Sequence, residues 1–385
     1  MNKYLKKLMA FGMIAAMVGT MTACGSSGGA ASSAAPASGA SSAAASSVAA
    51  SSAAGKKLKL TLCVGRKNDL SFQQSAYEGS QRVQKELGDK FDVNVVEMGD
   101  DTTKWKAAFY DAADAGADII VGTGFQNKEL FESMPKEYPD KKFILFDQDV
   151  DYSKGKLGNV LTVLFDSNES GYLAGESAAY YAKAQKSSKI GFVGGMQSTT
   201  IYNFLVGYVE GAKHVTPDIK ILNAYVGNYT DTAKAKDLAQ AQISNGASVV
   251  FQVAGGAGNG VIEACGAAKN VKAIGVDSDQ FAALKGSNLQ SAVMTSSLKR
   301  LDNALFKICS DYAKDPSSVS FGKTVTYGLA EDSVGIVFND NLTTCIGADN
   351  VSKVKDDLAQ IQKGTIKVDA AGKMTDQQIK DLISK

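Results

Sequence analysis

The sequence predicts an α/β fold made of two doubly wound parallel-sheet lobes. Three observations carry this reading. The chain has 385 residues, more than one ordinary core holds and enough for about two domains. From Leu58 onward, short apolar segments alternate with amphipathic ones. The same alternation then starts again after residues 160–164.

Taken in order, residues 58–64 (Leu-Lys-Leu-Thr-Leu-Cys-Val) read as a strand, and 71–87 as a helix that Ser71 is able to cap. Residues 91–96 alternate like a strand, 102–115 form a helix, and 118–121 (Asp-Ile-Ile-Val) a buried strand. A helix over 128–138 leads to strands at 143–146 and 160–164. The second run has helices at 170–184, 200–215, 232–245 and 258–269, interleaved with strands at 190–193, 219–222, 248–251 and 271–276. Short apolar strands separated by helices imply parallel sheets covered on both faces.

The first 57 residues do not read as part of either lobe. Lys3, Lys6 and Lys7 precede an apolar run at 8–18, a signal pattern too short to span a bilayer. Met21-Thr22-Ala23-Cys24 follows, small residues before a cysteine, as at a lipoprotein processing site, although Met21 stands where Leu is more usual. The expectation is a signal peptide over 1–23 and lipid on Cys24. Residues 25–55 are almost all Ser, Ala and Gly, with no apolar periodicity to offset the entropy of ordering. Residues 24–57 therefore read as a flexible tether. No stretch from Lys56 onward is apolar and long enough to span a membrane. The expected location is the outer face of a cell membrane, lipid-anchored, in a Gram-positive envelope.

Composition narrows the function. Lys plus Arg is 41 and Asp plus Glu is 40, a balance that argues against nucleic acid as a partner. The one histidine, His214, sits at the end of a helix, and the five cysteines contain no CxxC pair. A metal centre, a cofactor site and a nucleophile–base pair are therefore not expected, and the chain does not read as an enzyme. A structural disulfide is not expected in the body either, with Cys309 and Cys345 the one pair left open.

In parallel sheets, ligands bind beyond the carboxyl ends of the strands. The segments there are 65–71, 122–125, 147–149, 194–197, 254–260 and 277–280, most of them rich in glycine or bearing a carboxylate. Three motifs in the chain are near-misses. The run Gly255-Gly256-Ala257-Gly258-Asn259-Gly260 lacks phosphate-loop spacing. Gly322-Lys323-Thr324 lacks the first glycine of a Walker motif, since Ser317 occupies that place. Asp147, Asp149 and Asp151 have calcium-loop spacing, but Tyr152 and Gly158 replace the required glycine and glutamate.

Ordered blocks in the chain resemble the basic membrane protein or PnrA-like lipoproteins, purine-nucleoside receptors of ABC importers. They include Asp69-Leu70-Ser71-Phe72-Gln73-Gln74-Ser75-Ala76-Tyr77-Glu78-Gly79, Tyr138-Pro139-Asp140 leading to Asp147, and Val193-Gly194-Gly195-Met196. Asn203-Phe204-Leu205-Val206-Gly207-Tyr208, Ala254-Gly255-Gly256-Ala257-Gly258, Ile274-Gly275-Val276-Asp277 and Thr295-Ser296-Ser297-Leu298-Lys299-Arg300 extend the match over most of 58–338. The resemblance implies a type I periplasmic-binding-protein fold whose chain crosses between lobes near Asp166, Ser297 and Ala330. The lobes would be 58–166 plus 298–330 and 167–297 plus 331–385. It also implies a nucleoside ligand, with permease and ATPase subunits as partners. Phe72 and Phe204 would sandwich the base, Asp147 would bind its edge, and Asp277 and Lys299 the ribose. Asp69, Ser71, Gly255 and Gly256 complete the implied ligand set.

The chain departs from the family at Cys63, where an Asp is usual, and at Leu70 and Gln73. Cys63 is expected to lie beside the cleft, where the lost carboxylate would remove a ligand acceptor. A sugar or another small metabolite, and a sensory rather than transport role, remain open on the sequence.

Overall fold

The computed structural model describes residues 56–384. The first half holds β1 (Leu58–Val64), α1 (Phe72–Glu86), β2 (Phe91–Glu97), α2 (Trp105–Asp114), β3 (Ile119–Thr123), α3 (Lys128–Glu137), β4 (Lys142–Phe146) and β5 (Val160–Phe165). Next come α4 (Ser167–Ala184), β6 (Lys189–Gly194), α5 (Thr199–Val215), β7 (Lys220–Tyr225), α6 (Thr232–Ser244) and β8 (Ala247–Val253). They are followed by α7 (Asn259–Ala267), β9 (Lys272–Asp277), α8 (Gln280–Ala283) and β10 (Val293–Lys299). The remainder is α9 (Leu301–Lys314), β11 (Lys323–Tyr327), β12 (Val334–Ile336), α10 (Asp340–Ile346), α11 (Ala348–Gln362) and α12 (Asp376–Ser384).

The strands form two six-stranded sheets, ordered β11-β5-β4-β3-β1-β2 and β12-β10-β9-β8-β6-β7. All pairings are parallel except β10 with β12, which is antiparallel. The molecule is thus two α/β lobes of nearly matching topology. The burial of each strand follows from its place. Inner strands such as β3 and β8 are mostly apolar and buried along their whole length. Edge strands β2, β7 and β11 alternate with exposed residues. The chain passes between the sheets after β5, after β10 and after β11.

One apolar cluster runs through both lobes, from Leu60, Val121 and Ile144 through Phe165 and Leu301 to Phe192, Phe204 and Phe251. A second cluster lies on the other face of the first sheet and contains Cys63, Phe109 and Phe131. This corrects the expectation for Cys63. Leu62 and Val64 face one side of the sheet, so strand alternation turns Cys63 to the other, where it is fully buried. Its thiol is pushed up to about 12 by that burial. The departure from the family's Asp therefore does not open onto the cleft. Among the described residues, Cys63, Cys265, Cys309 and Cys345 are free thiols.

The capping expected of Ser71 is also corrected. Ser71 occupies the N-cap position of α1, but its side chain makes no capping bond. Asp69 does so instead, accepting from the backbone N–H groups of Ser71 (2.9 Å), Gln73 (3.1 Å) and Gln74 (3.0 Å). A carboxylate two residues upstream reaches those free donors and leaves the serine hydroxyl for another partner.

The position of α5 in the second lobe depends on how closely it crosses α4. Gly171 and Gly175 on α4 lie against the backbones of Phe204 and Tyr208, and Gly207 and Gly211 on α5 lie against those of Asn168 and Tyr172. A Cβ at Gly207 would overlap the carbonyl oxygen of Asn168. Four glycines in two G-x-x-x-G pairs thus bring the helix backbones together. Gly207→Ala is expected to lower the unfolding free energy by about 1–3 kcal/mol in urea titration, the range for overpacking. Gly158→Ala, where a new methyl meets nothing within 4 Å, should stay within about 0.5 kcal/mol of the parent. Equal effects at the two positions would refute the close-approach account.

Candidate functional site

The strand ends of both sheets bring six of the expected residues into one cluster. Asp147 follows β4 of the first sheet, and its N–H bonds to the Val163 carbonyl at 2.8 Å. Asp277 ends β9 and Lys299 ends β10 of the second sheet. The β9–β10 register pairs Leu298 with Asp277 and so sets Lys299 beside that carboxylate. The Lys299 ammonium lies 2.7 Å from Asp147 and 3.9 Å from Asp277, and its side chain is only 3% exposed. An acid–base–acid triad therefore joins the two lobes.

Two aromatic rings flank it. The Lys299 nitrogen stands 5.2 Å from the Phe72 ring centroid and 5.1 Å from that of Phe204, within cation–π range of both. Phe72 begins α1 in the first lobe and Phe204 lies on α5 in the second. Phe204 is fully buried and also packs edge-on against Phe251 at 6.0 Å. It is at once a core residue and a wall of the cluster. Phe165, at the end of β5, stands 6.0 Å from the same ammonium.

Ser71 completes the cluster. Its hydroxyl donates to Asp277 at 2.5 Å, and Ser278 donates to the Leu70 carbonyl at 2.9 Å. Both bonds join the lobes. At Leu70 it is the backbone, not the side chain, that takes part. Behind Asp277, Gln252 donates to Gln280 at 2.6 Å, while the Gln280 N–H donates to Ser296 at 3.1 Å. These amides anchor the turn that follows β9.

The backbone at three of these positions is unusual. Leu70, Asp147 and Asp277 have φ of 60°, 65° and 66°. Side-chain-bearing residues rarely adopt this left-handed conformation, which costs on the order of 1–3 kcal/mol each. Here it occurs at strand ends that turn carboxylates toward the cleft.

Asp69, Gly255 and Gly256 lie beside the cluster rather than within it. Asp69 is engaged in capping α1, and its carbonyl accepts from Asn259 at 3.5 Å. Gly255, with φ of 57°, and Gly256 form a short helical turn before α7. A Cβ at Gly256 would lie 3.4 Å from the Tyr229 carbonyl and 3.8 Å from the Asp69 Cβ, so this backbone faces the other lobe closely. The calcium-like spacing has a different use. Asp149 pairs with Lys128 at 3.4 Å, and Asp151 caps a short turn through Ser153 at 3.0 Å.

Tyr229 is the residue that the sequence reading missed. It follows β7, packs against Gly195 and Gly255, and its ring lies 6.4 Å from Phe125 of the first lobe. Its hydroxyl is pushed up to about 12, chiefly by burial and then by the nearby Asp147. The signal was present, since segment 226–231 is also a post-strand segment, but it carries neither a glycine pair nor a family block.

Burial also governs the protonation of Asp277. It raises the carboxyl to about 6; Lys299 and Ser71 oppose the rise, and Asp147 and Asp69 add to it. Asp69 is likewise raised by burial, against the pull of its backbone donors. Two carboxyl groups face one lysine, so acidic side chains outnumber basic ones in the cluster. It is suited to a neutral solute rich in donors and aromatic surface, not to a phosphate.

Two α/β lobes whose strand ends meet around an aromatic and charged cluster define a solute-binding protein. The chain belongs to the PnrA-like family of ABC transporter substrate-binding proteins, whose family model matches residues 57–371. It is a binding protein of that family and not an enzyme. It is 36% identical over 304 residues to the ABC transporter nucleoside-binding protein BmpA of Lactococcus lactis, covering 76% of this chain and 83% of that one. It is 31% identical over 290 residues to basic membrane protein A of Borreliella burgdorferi, covering 74% and 80%. Among solved structures, a solute-binding protein of an ABC transporter system from Aeropyrum pernix superposes with a TM-score of 0.70 at 23% identity. That match covers 86% of this chain and 97% of the other. The fold is that of the type I periplasmic binding proteins.

The raised Asp277 has a measurable consequence. Its folded pKa of about 6 exceeds the unfolded value near 3.9, so the folded state holds the proton more tightly. Stability from this group is present below about pH 4 and is lost as pH rises through about 6. Two pKa steps correspond to on the order of 2–3 kcal/mol. The difference in urea stability between the parent and Asp277→Asn is expected to change by about that amount between pH 4 and pH 7. A difference independent of pH would show that Asp277 titrates normally.

Proposed function

We propose that this protein is the lipid-anchored nucleoside receptor of an ABC importer and delivers its ligand to permease and ATPase subunits. The observation that carries the reading is the meeting of Phe72 and Phe204, one ring from each lobe, on either side of the Asp147–Lys299–Asp277 triad. A nucleoside has the matching parts. Its base is a flat ring for the two phenyl groups, with stacking of roughly 1–3 kcal/mol per base. Asp147 accepts from the base edge. The paired ribose hydroxyls suit Asp277, an acceptor with two oxygens, while Lys299 donates. The excess of carboxyl groups over cations disfavours a nucleotide. The name of the Lactococcus lactis relative supports the same solute.

Ligand entry needs the lobes to part, because Ser71–Asp277 and Ser278–Leu70 bridge them. The solute then favours closure by touching both lobes at once. The lobes in this reading are 58–166 plus 300–330 and 167–299 plus 331–385, hinged at their crossings; the boundary expected at 297/298 moves to 299/300 because β10 stays in the second sheet as far as Lys299. The signal peptide, Cys24 and the tether at 24–57 lie in the part of the chain that ends just past the first described residues. No helix among the described residues is long and apolar enough to cross a membrane. Attachment is assigned to lipid on Cys24 from the Lys3, Lys6 and Lys7 cluster, the apolar run at 8–18 and the Met21-Thr22-Ala23-Cys24 sequence.

Calorimetry against purine and pyrimidine nucleosides, free bases, nucleotides and pentoses tests the solute. Nucleosides should bind, and Phe72→Ala or Phe204→Ala should weaken them about tenfold or more. Asp277→Ala should weaken nucleosides much more than free bases. Unchanged nucleoside affinity in a folded Phe204→Ala protein would falsify the clamp, and binding of pentoses alone would replace the solute class. For the anchor, Cys24→Ala should move the protein from the membrane fraction to the medium; retention on the membrane would exclude lipid at that residue.

A further inference from the structure

The chain's one histidine lies far from the cleft. His214 is in the last turn of α5, roughly 15 Å along that helix from Phe204 at 1.5 Å per residue. Its Nε2 stands 3.4 Å from Oδ2 of Asp357 on α11. Glu176, on α4, completes the group, and one donor atom from each residue lies within 4.8 Å of the other two. Three helices of the second lobe thus bring an imidazole and two carboxylates to one point.

Glu176 calls for an explanation. It is 0% exposed, no N–H or hydroxyl group donates to its carboxylate oxygens, and its polar contact is with a second carboxyl, that of Asp357. An ionised, unpaired carboxylate in an interior costs several kcal/mol, so the group is neutralised by a proton or by a cation. Its neighbours are arranged for a cation. Asp357 is held through its other oxygen by Gln360, which donates at 2.8 Å and leaves Oδ2 turned to Glu176 and His214. Such outer-shell support is usual for metal ligands. The His214 side chain is 54% exposed and that of Asp357 14%, so the group is reached from solvent mainly on the imidazole side.

We propose that Glu176, His214 and Asp357 form a binding site for a divalent transition cation of the zinc or manganese type, with water completing its coordination. One nitrogen and two oxygen donors favour such an ion over magnesium or calcium. Bonds of about 2.0–2.2 Å place neighbouring donors roughly 3.3 Å apart, so the widest separation in the group needs to contract by up to about 1.5 Å. The ion would fasten α4 and α5, the closely crossed pair that positions Phe204, to α11. Its role is to stabilise the second lobe rather than to touch the solute.

The test is calorimetric titration of the full chain, stripped of metal by chelator, with zinc and then manganese chloride, paired with thermal unfolding. The parent is expected to bind one ion per chain and to unfold at a higher temperature when loaded. Glu176→Gln and His214→Gln should each lose at least about tenfold in affinity, and Phe204→Ala should retain it. Absence of a one-to-one site in the parent overturns the proposal. Equal binding by a folded His214→Gln protein does the same, since the ion is then held elsewhere. A parent that takes up no ion, beside a Glu176→Gln protein that is at least as stable as the metal-free parent, would leave the proton as the neutralising partner and also overturn it.

Discussion

The buried ammonium of Lys299 is the interaction on which the rest of the cleft depends. It sits between a carboxylate from each lobe and beneath a ring from each lobe. A lysine with so little exposure is tolerated only if it is paired and the pair is well placed. Here the placement comes from strand register. Lys299 ends a strand of the second sheet while Asp147 follows one of the first, so the ion pair exists only when the lobes meet. Removing one partner of such a pair typically costs about 3–5 kcal/mol because the other charge stays buried. The triad therefore holds the two lobes in register.

The other inter-lobe bonds follow the same pattern. Ser71 gives up helix capping to reach Asp277, and Asp69 takes over the cap. Leu70 adopts a left-handed backbone and offers its carbonyl to Ser278. Each contact spends a local preference to make a long-range one, which is the usual mark of a functional site. The helix pair α4–α5 acts from behind. Its four glycines set Phe204 at a fixed depth, where the ring meets both Phe251 and the ammonium.

Much of the fold was legible because parallel sheets write plainly. Inner strands such as β3, β4 and β8 must be apolar on both faces, and the helices between them must be amphipathic. The ends of elements moved by a few residues, as where residues 248–251 lengthen into Ala247–Val253. The part of the chain after β9 was harder. β11 pairs with β5 across more than a hundred residues, and β12 runs antiparallel to β10. Neither pairing has a local signature, since both short strands depend on neighbours built elsewhere in the chain.

The sequence by itself determined the class of fold, the family, and which residue types stand beyond each strand. Local periodicity and ordered motifs are properties of the chain, and they survive without coordinates. Only the tertiary structure decided what those residues do to one another. It turned Cys63 into the core by strand alternation and assigned the cap to Asp69 rather than Ser71. It brought Tyr229 to Phe125 across the lobes, and gathered Glu176, His214 and Asp357 from three helices. Such outcomes depend on distances between residues far apart in sequence and on burial, which sets the energy of a charge. Neither is encoded in spacing along the chain.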